Sequence, residues 1–180
     1  MVLAFGGRTV GSRSNARTAV LFIDLIMAGT LAGVFLTYSF AVMPGLATTD
    51  DYTFVAAFQG LQRMFGSFEY GINWPILGFI GVPLFTTVAT LQNWGRPVAW
   101  WLLTALALSI LTILISFTFH IPLNDALTAA GDPNIIDVSQ VRADFREGWW
   151  LGWNHVRSAT SLGAFAALGW ALFLTGKRVT

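Results

Sequence analysis

The sequence predicts an all-α protein, a four-helix transmembrane bundle with both termini in the cytoplasm. Of its 180 residues, 55% are hydrophobic and 11% are charged, whereas a soluble domain carries about 25% charged residues. The apolar residues also fall into four long blocks, and a helix needs roughly 20 such residues to cross the hydrocarbon core of a bilayer. Together these observations predict an integral membrane protein.

The first two spans are predicted at about 19–43 and 70–91. The first block, AVLFIDLIMAGTLAGVFLTYSFAVM, ends at Pro44-Gly45, a pair that commonly ends helices. It is longer than the apolar core of a signal peptide, about 7–15 residues, so we expect it to be retained. The second block contains Pro83, which a membrane helix tolerates when neighbouring groups satisfy the freed carbonyl.

The other two spans are predicted at about 98–120 and 149–174. The third block, VAWWLLTALALSILTILISFTF, is the clearest of the four. The fourth apolar run is barely long enough alone, so the stretch GWWLGWNHVRSATS before it must supply its first turns. Gly and Ala recur through the first and fourth spans, and small residues let membrane helices pack closely. We therefore expect one compact domain, 19–174, between a basic arm (1–18) and a basic tail (175–180).

The orientation follows from the positions of the charges, because Arg and Lys accumulate on the cytoplasmic side. The termini and the second connection carry six basic residues and no acidic ones: Arg8, Arg13, Arg17, Arg96, Lys177 and Arg178. The other two connections contain most of the acidic residues: Asp50, Asp51, Glu69, Asp125, Asp132, Asp137, Asp144 and Glu147. The protein is thus predicted in the cell membrane, with loops 44–72 and 121–148 extracytoplasmic.

Composition also excludes several functions. The chain has no cysteine, so it can form neither a disulfide framework nor a thiolate metal site. A net charge of +1 without a basic cluster gives no reason to expect nucleic acid binding. The predicted partner is the lipid bilayer; a lipophilic small molecule, a protein partner and an oligomer remain open alternatives.

Polar residues of the types that take part in catalysis and binding gather at the outer ends of the third and fourth spans. His120, Asn124 and Asp125 surround Pro122, and the fourth span begins with the stretch quoted above. Because these helices are antiparallel, their outer ends lie in the same leaflet. Within the fourth span, Asn154 and Arg157 share one helical face, and Trp150 and Trp153 lie along nearly the same stripe. His155 is rotated by about 100° from Asn154 and is expected to face another neighbour.

Simpler interpretations exist for each of these residues. The tryptophans Trp149, Trp150 and Trp153 are typical interfacial anchors, and Arg157 is alternatively a cap on the third helix, with Asn124 pinning the loop. His120, His155 and Asp125 are ligand types that suit iron or copper, but their spacing matches no known motif, so no metal is predicted. Asp24 is a charge within the first span, and we expect it to hydrogen-bond a neighbouring helix.

Three short motifs stand out in the sequence: FAVMPGL at the end of the first span, PLN at 122–124 and W-x-x-x-W-N-x-x-R at 149–157. They resemble the anthrone-oxygenase-like family of small four-helix membrane proteins. The resemblance extends from about residue 20 to 174, in the same order. In one place the chain departs from the family, which often has an asparagine where FQGLQRMF (58–65) has Gln62.

The resemblance implies O₂-dependent oxidation of an anthrone, a lipophilic phenolic substrate, at an outer-leaflet site. It implies His120 or His155 as the base, and Arg157, Asn124 and Asn154 as hydrogen-bond donors to a developing oxyanion. The tryptophans Trp149, Trp150 and Trp153 would stack on the fused rings. No flavin or haem motif is visible, so O₂ is the expected co-substrate and no cofactor is predicted.

Two other functions compete with oxidation. One is a non-catalytic membrane partner or lipid-binding protein. The other, a solute transporter, is disfavoured because transporters commonly have inverted repeats, and these four spans show none. A cavity lined by Asn124, Asn154 and Arg157 would favour a small ligand, whereas the same residues bonded only to one another would favour a structural role.

Overall fold

The computed structural model describes residues 9–65 and 76–177, and their secondary structure is helical throughout, without a strand. The elements are α1 (Thr9–Thr37), π1 (Tyr38–Val42), α2 (Met43–Leu46), α3 (Asp51–Phe65), π2 (Ile76–Gly81), α4 (Val82–Gln92), α5 (Val98–Ile115), π3 (Ser116–His120), α6 (Ile121–Ala129), α7 (Val138–Phe145) and α8 (Glu147–Gly176). The start of the predicted arm, the end of the tail and residues 70–75 of the predicted second span lie outside the described residues.

The predicted all-α fold is confirmed. Within the described ranges, three helical stretches are long and apolar enough to cross a membrane, and Ile76–Gln92 is a shorter apolar helix. In the bundle, α1 packs on α4, α4 on α5, α5 on α8, and α8 returns to α1. The chain therefore runs up and down around a closed ring of four helices. We call the end that holds α3, α6 and α7 the loop end, and the opposite end the terminal end.

Two of the helices continue past the prolines at which the sequence predicted their ends. After α1, helical backbone runs through Pro44 to Leu46, and after α5 it runs through Pro122 to Ala129. A proline in the first turn of a helical segment is tolerated because its missing N–H would have no partner there. In each case the proline opens a new α segment after a π segment, so it changes the hydrogen-bond register without ending the helix.

Each of the three π segments is followed by a proline at the same distance. Pro44, Pro83 and Pro122 each stand two residues beyond the end of π1, π2 and π3. Proline cannot donate to the carbonyl four residues earlier, and its ring crowds that carbonyl. The preceding amide hydrogens reach back five residues instead, as Met43 N does to Tyr38 O and Ile121 N does to Ser116 O. All three prolines thus widen a helix at the loop end.

Small residues fill the core of the terminal half. Its buried apolar members include Leu21, Leu102 and Leu168 and five alanines: Ala28, Ala89, Ala105, Ala167 and Ala171. A Cβ added at Gly29 would lie 2.8 Å from the ring of Phe165. This close packing is the small-residue packing predicted for the first and fourth spans.

A cap of three shorter helices closes the loop end. Four aromatic side chains from α3, α7 and α8 pack together there, namely Phe54, Phe58, Phe145 and Trp150. Arg142 of α7 forms ion pairs with Asp51 and Glu147 and donates to Thr49 O at 2.8 Å. Asp50 accepts hydrogen bonds from Thr53 N and Oγ1, which lower the pKa of its carboxyl. The cap is therefore fixed to the bundle by both apolar and charged contacts.

Candidate functional site

A cavity of about 400 Å³ lies at the loop end of the bundle. Its apolar lining comes from Leu31, Val34, Phe35, Phe65, Phe79, Phe117 and Ile121. Its polar lining comes from Tyr38, Gln62, His120, Asn124, Asp125, Trp150 and Arg157. Small-molecule sites are typically apolar cavities of about 300–1,000 Å³ with a few convergent polar groups. The cavity has both properties.

Each π segment contributes to the wall of this cavity. Tyr38 comes from π1, Phe79 from π2, and Phe117 and His120 from π3. A π turn advances the chain by a different angle from an α turn, and such turns occur frequently at functional sites. The proline-induced widening therefore places aromatic and imidazole side chains around one space.

Arg157 is a buried cation in this wall. It is 7% exposed, and among the described residues no carboxylate lies within ion-pairing distance of it. Its guanidinium stands 4.1 Å from the centre of the Phe35 ring and 5.7 Å from that of Trp150. Nη1 also lies 3.4 Å from the Ser116 hydroxyl oxygen. Aromatic faces attract a cation, but they do not neutralise it.

Asn154 holds Arg157 in place without lining the cavity. It is fully buried, and its Oδ1 accepts hydrogen bonds from Nε and Nη2 of Arg157. Its Nδ2 donates to Phe35 O at 3.1 Å and to Ser39 Oγ at 2.8 Å. One side chain of α8 therefore ties the arginine to the end of α1 and the start of π1.

His120 and Trp150 meet edge to face in the same wall, with ring centres 4.8 Å apart. His120 is 1% exposed, and its Nε2 has no hydrogen-bond partner in the part of the chain that the structure describes. Its Nδ1 lies 3.5 Å from Ile115 O. A carbonyl oxygen only accepts, so this contact favours the tautomer with the proton on Nδ1 and a lone pair on Nε2. Trp150 Nε1 donates to Asn124 Oδ1 at 2.8 Å.

The structure separates the remaining predicted residues from the cavity. His155 is exposed, with its ring centre 5.5 Å from that of Phe40 on the outer surface. Trp153 stacks on Phe119 at 3.7 Å, and Trp149 is 49% exposed. The predicted set thus divides in two. His120, Asn124, Trp150 and Arg157 line the cavity, and Asn154 supports it, whereas His155, Trp149 and Trp153 face outward.

Three further expectations from the sequence can be compared with this geometry. Arg157 contacts the hydroxyl of Ser116 on the third helix, and none of its hydrogen bonds reaches a backbone carbonyl there. Over residues 9–65 and 76–177, no three His, Asp or Glu side chains gather as a metal site. Asp24 accepts a hydrogen bond from Thr86 Oγ1 at 2.8 Å, so it bonds a neighbouring helix as expected.

Sequence reasoning missed Tyr38 and the phenylalanines of the cavity wall. Tyr38 stands near the end of the first apolar block, six residues before Pro44. The recurrence of a proline near the loop end of three spans was a usable signal, because it marks where regular α spacing fails. Gln62, at the position where the chain departs from the family's asparagine, also lines the cavity.

Comparison with known proteins identifies the family of this chain. No curated protein and no solved structure matches the chain. A family model described as anthrone oxygenase matches residues 64–167, which include His120, Asn124, Trp150 and Arg157. The match spans more than half of the 180 residues and confirms the resemblance seen in the sequence. The chain belongs to the anthrone oxygenase family.

Proposed function

We propose that this membrane protein uses O₂ to oxidise a lipophilic phenol of the anthrone type in the loop-end cavity. The observation that carries the proposal is a buried guanidinium, Arg157, in the same aromatic wall as His120, whose Nε2 has no partner in residues 9–65 and 76–177. An unpaired buried charge is costly, and anionic oxygen in a ligand would offset that cost. The family to which the chain belongs supports the same chemistry.

The shape and lining of the cavity suit a flat fused-ring substrate. Phe35, Phe79, Phe117 and Trp150 supply aromatic surface, and aromatic rings stack or meet edge to face with favourable energy. Phe117 is 56% exposed and also lines the cavity, so a substrate dissolved in the bilayer can approach through this side. Asn124 and Arg157 then hydrogen-bond its oxygen substituents.

The residues present can carry out the reaction in balanced steps. Nε2 of His120 removes one proton from the activated methylene, and Arg157 stabilises the enolate oxygen that results. The electron pair on carbon adds to O₂, and the peroxide oxygen takes up the proton from His120. Loss of the second C–H proton with cleavage of the O–O bond leaves a new carbonyl and water. One methylene and one O₂ thus yield one ketone and one water.

The test compares the two histidines of the chain, because only one lines the cavity. O₂ uptake is measured with emodin anthrone and purified, detergent-solubilised protein. We expect His120→Ala to lower the rate above the spontaneous reaction by about 100-fold or more, as for loss of a general base. His155→Ala is the matched control and should retain the wild-type rate.

Circular dichroism and gel filtration are used to test whether both variants keep the fold. Equal rates in wild type and His120→Ala would remove His120 from the mechanism. An absence of uptake in the wild type, together with binding of emodin anthrone, would replace oxidation with a ligand-binding role.

A further inference from the structure

The hydroxyl of Tyr38 is a buried polar group that the proposed reaction does not yet use. The side chain is 7% exposed and lines the cavity, and its Oη finds no hydrogen-bond partner among the described residues. A buried tyrosine hydroxyl usually has a partner. In a cavity wall, the missing partner is naturally an atom of the ligand.

Hydrogen bonds fix the position of Tyr38 relative to Arg157. Asn154 accepts from Arg157 and donates to Phe35 O and Ser39 Oγ, which flank Tyr38 in the same helical turn. The ring of Tyr38 lies 6.0 Å from that of Trp150, and the guanidinium carbon of Arg157 lies 5.7 Å from the same ring. Both polar groups are therefore fixed beside one tryptophan.

The number of donors left free also points to a ligand oxygen. An arginine side chain has five N–H donors. Three are directed at Asn154 Oδ1 and Ser116 Oγ, so two have no acceptor among the residues that the structure describes. The Tyr38 hydroxyl adds a further donor from a different helix. Several free donors in one apolar cavity match an acceptor that carries negative charge and more than one lone pair.

We propose that Tyr38 and Arg157 together bind the ligand oxygen that becomes anionic, as an oxyanion-binding pair. This assignment rests on the proposed function. It specifies the ligand class as a fused-ring ketone or phenol whose oxygen lies beside Trp150. His120, which meets the edge of Trp150, is left free to act on the carbon. Recognition thus depends on the oxygen substituent as well as on ring stacking.

Two probes with the same three-ring framework test this assignment: emodin, which carries oxygen substituents, and anthracene, which carries none. Binding to the detergent-solubilised wild type, Tyr38→Phe and Tyr52→Phe is measured by fluorescence quenching, with protein-free micelles as the blank. Tyr52→Phe is the matched control, because its hydroxyl bonds Asn134 at 3.1 Å outside this cavity. We expect Tyr38→Phe to weaken emodin binding by roughly tenfold, the effect of one hydrogen bond to a charged group.

Anthracene binding should be the same in all three proteins, because the lost hydroxyl has nothing to contact on it. An equal loss for emodin and anthracene would show that Tyr38 only packs, and unchanged emodin binding would show that its hydroxyl does not reach the ligand; either result overturns the proposal. A wild type that binds neither probe would overturn it as well. If O₂ uptake is absent but the selective loss of emodin binding is observed, oxidation fails while the oxyanion-binding pair stands.

Discussion

Asn154 illustrates how a single residue determines the properties of the site. It does not line the cavity, yet it is the main hydrogen-bond partner of the buried Arg157. Because no carboxylate of the described residues lies within ion-pairing distance, the guanidinium keeps its charge available to the cavity. The neutral amide of Asn154 fixes the geometry of the arginine and leaves its positive charge uncompensated. A carboxylate at this position would neutralise that charge.

We therefore expect Asn154→Ala to weaken both the fold and ligand binding. The change removes two hydrogen bonds to α1 and π1 and two from Arg157. At about 0.6 kcal/mol for an average hydrogen bond in a membrane protein, the free energy of unfolding should fall by roughly 2 kcal/mol. Unfolding by sodium dodecyl sulfate in mixed micelles measures this change, and emodin binding measures the effect on the site.

Thr160→Ala is the matched control for Asn154→Ala. Thr160 lies on the same helix and does not line the cavity; its hydroxyl contacts that of Thr112 at 2.8 Å and donates to the backbone oxygen of Arg157 at 2.9 Å. Loss of these two hydrogen bonds should lower the free energy of unfolding by about 1 kcal/mol, and it should leave emodin binding unchanged because the bonds of the guanidinium are kept. If both variants bind emodin equally well, Asn154 has no role in positioning Arg157.

At the scale of elements, three of the described helices share one structural feature. Each carries a π segment followed two residues later by a proline, and each π segment supplies a side chain to the cavity. The terminal halves of the same helices remain regular and pack through small residues. One half of the bundle thus supplies stability, and the other half is distorted to make room for a ligand.

Pro122→Ala tests whether the proline maintains this distortion. Alanine restores an N–H that can bond the carbonyl of Thr118, so regular α spacing becomes favourable across π3. We expect thermal stability to be retained or increased, while emodin binding falls several-fold because His120 and Phe117 change direction. Pro97→Ala, at the N-cap of α5 away from the π segments, should leave binding unchanged. Wild-type binding by Pro122→Ala would show that other contacts hold π3.

At the scale of the whole molecule, the charge distribution predicts which side of the membrane holds the site. The basic residues at the terminal end predict a cytoplasmic location for that end, which would put the cavity in the outer leaflet. A single-cysteine experiment is clean here because the chain has no cysteine. The loop position Thr48 is exposed, and Ser12 lies near the terminus of α1.

In intact cells, we expect a membrane-impermeant maleimide to label Thr48→Cys. Ser12→Cys should react only after the cells are permeabilised. The reversed pattern would place the cavity in the inner leaflet and contradict the prediction from the charges. Labelling of both variants in denaturing detergent is the control for thiol reactivity.

The sequence was sufficient to predict the all-helical fold but only part of the arrangement around the cavity. Hydropathy predicted four helices, and antiparallel order brought His120 and Asn124 close to Trp150 and Arg157. Helical periodicity also indicated that Asn154 and Arg157 share a face and that His155 points elsewhere, as the structure shows. These inferences rest on regular α geometry, which α8 retains along its whole length.

Other residues of the cavity wall could not be predicted, because they lie on segments without regular α geometry. Tyr38, Phe79 and Phe117 face the cavity because their segments have π spacing, which a period of 3.6 residues does not describe. Trp153 lies on the regular helix α8, and there the prediction of nearly the same stripe as Trp150 neglected that the two differ by about 60° around the helix. That angle is enough for Trp153 to stack on Phe119 outside while Trp150 is buried.

The π segments also have a consequence for how this family can diversify. A π turn holds one residue more than an α turn, so deletion of one residue before the proline would restore α spacing. Everything beyond the deletion would rotate by about 100°, but after π1 and π3 only the short helices α2 and α6 follow at the loop end. Single-residue insertions and deletions at these two places can therefore reshape the cavity while the bundle stays intact. Gaps in an alignment of relatives should accordingly cluster just before Pro44 and Pro122 and follow differences in substrate size.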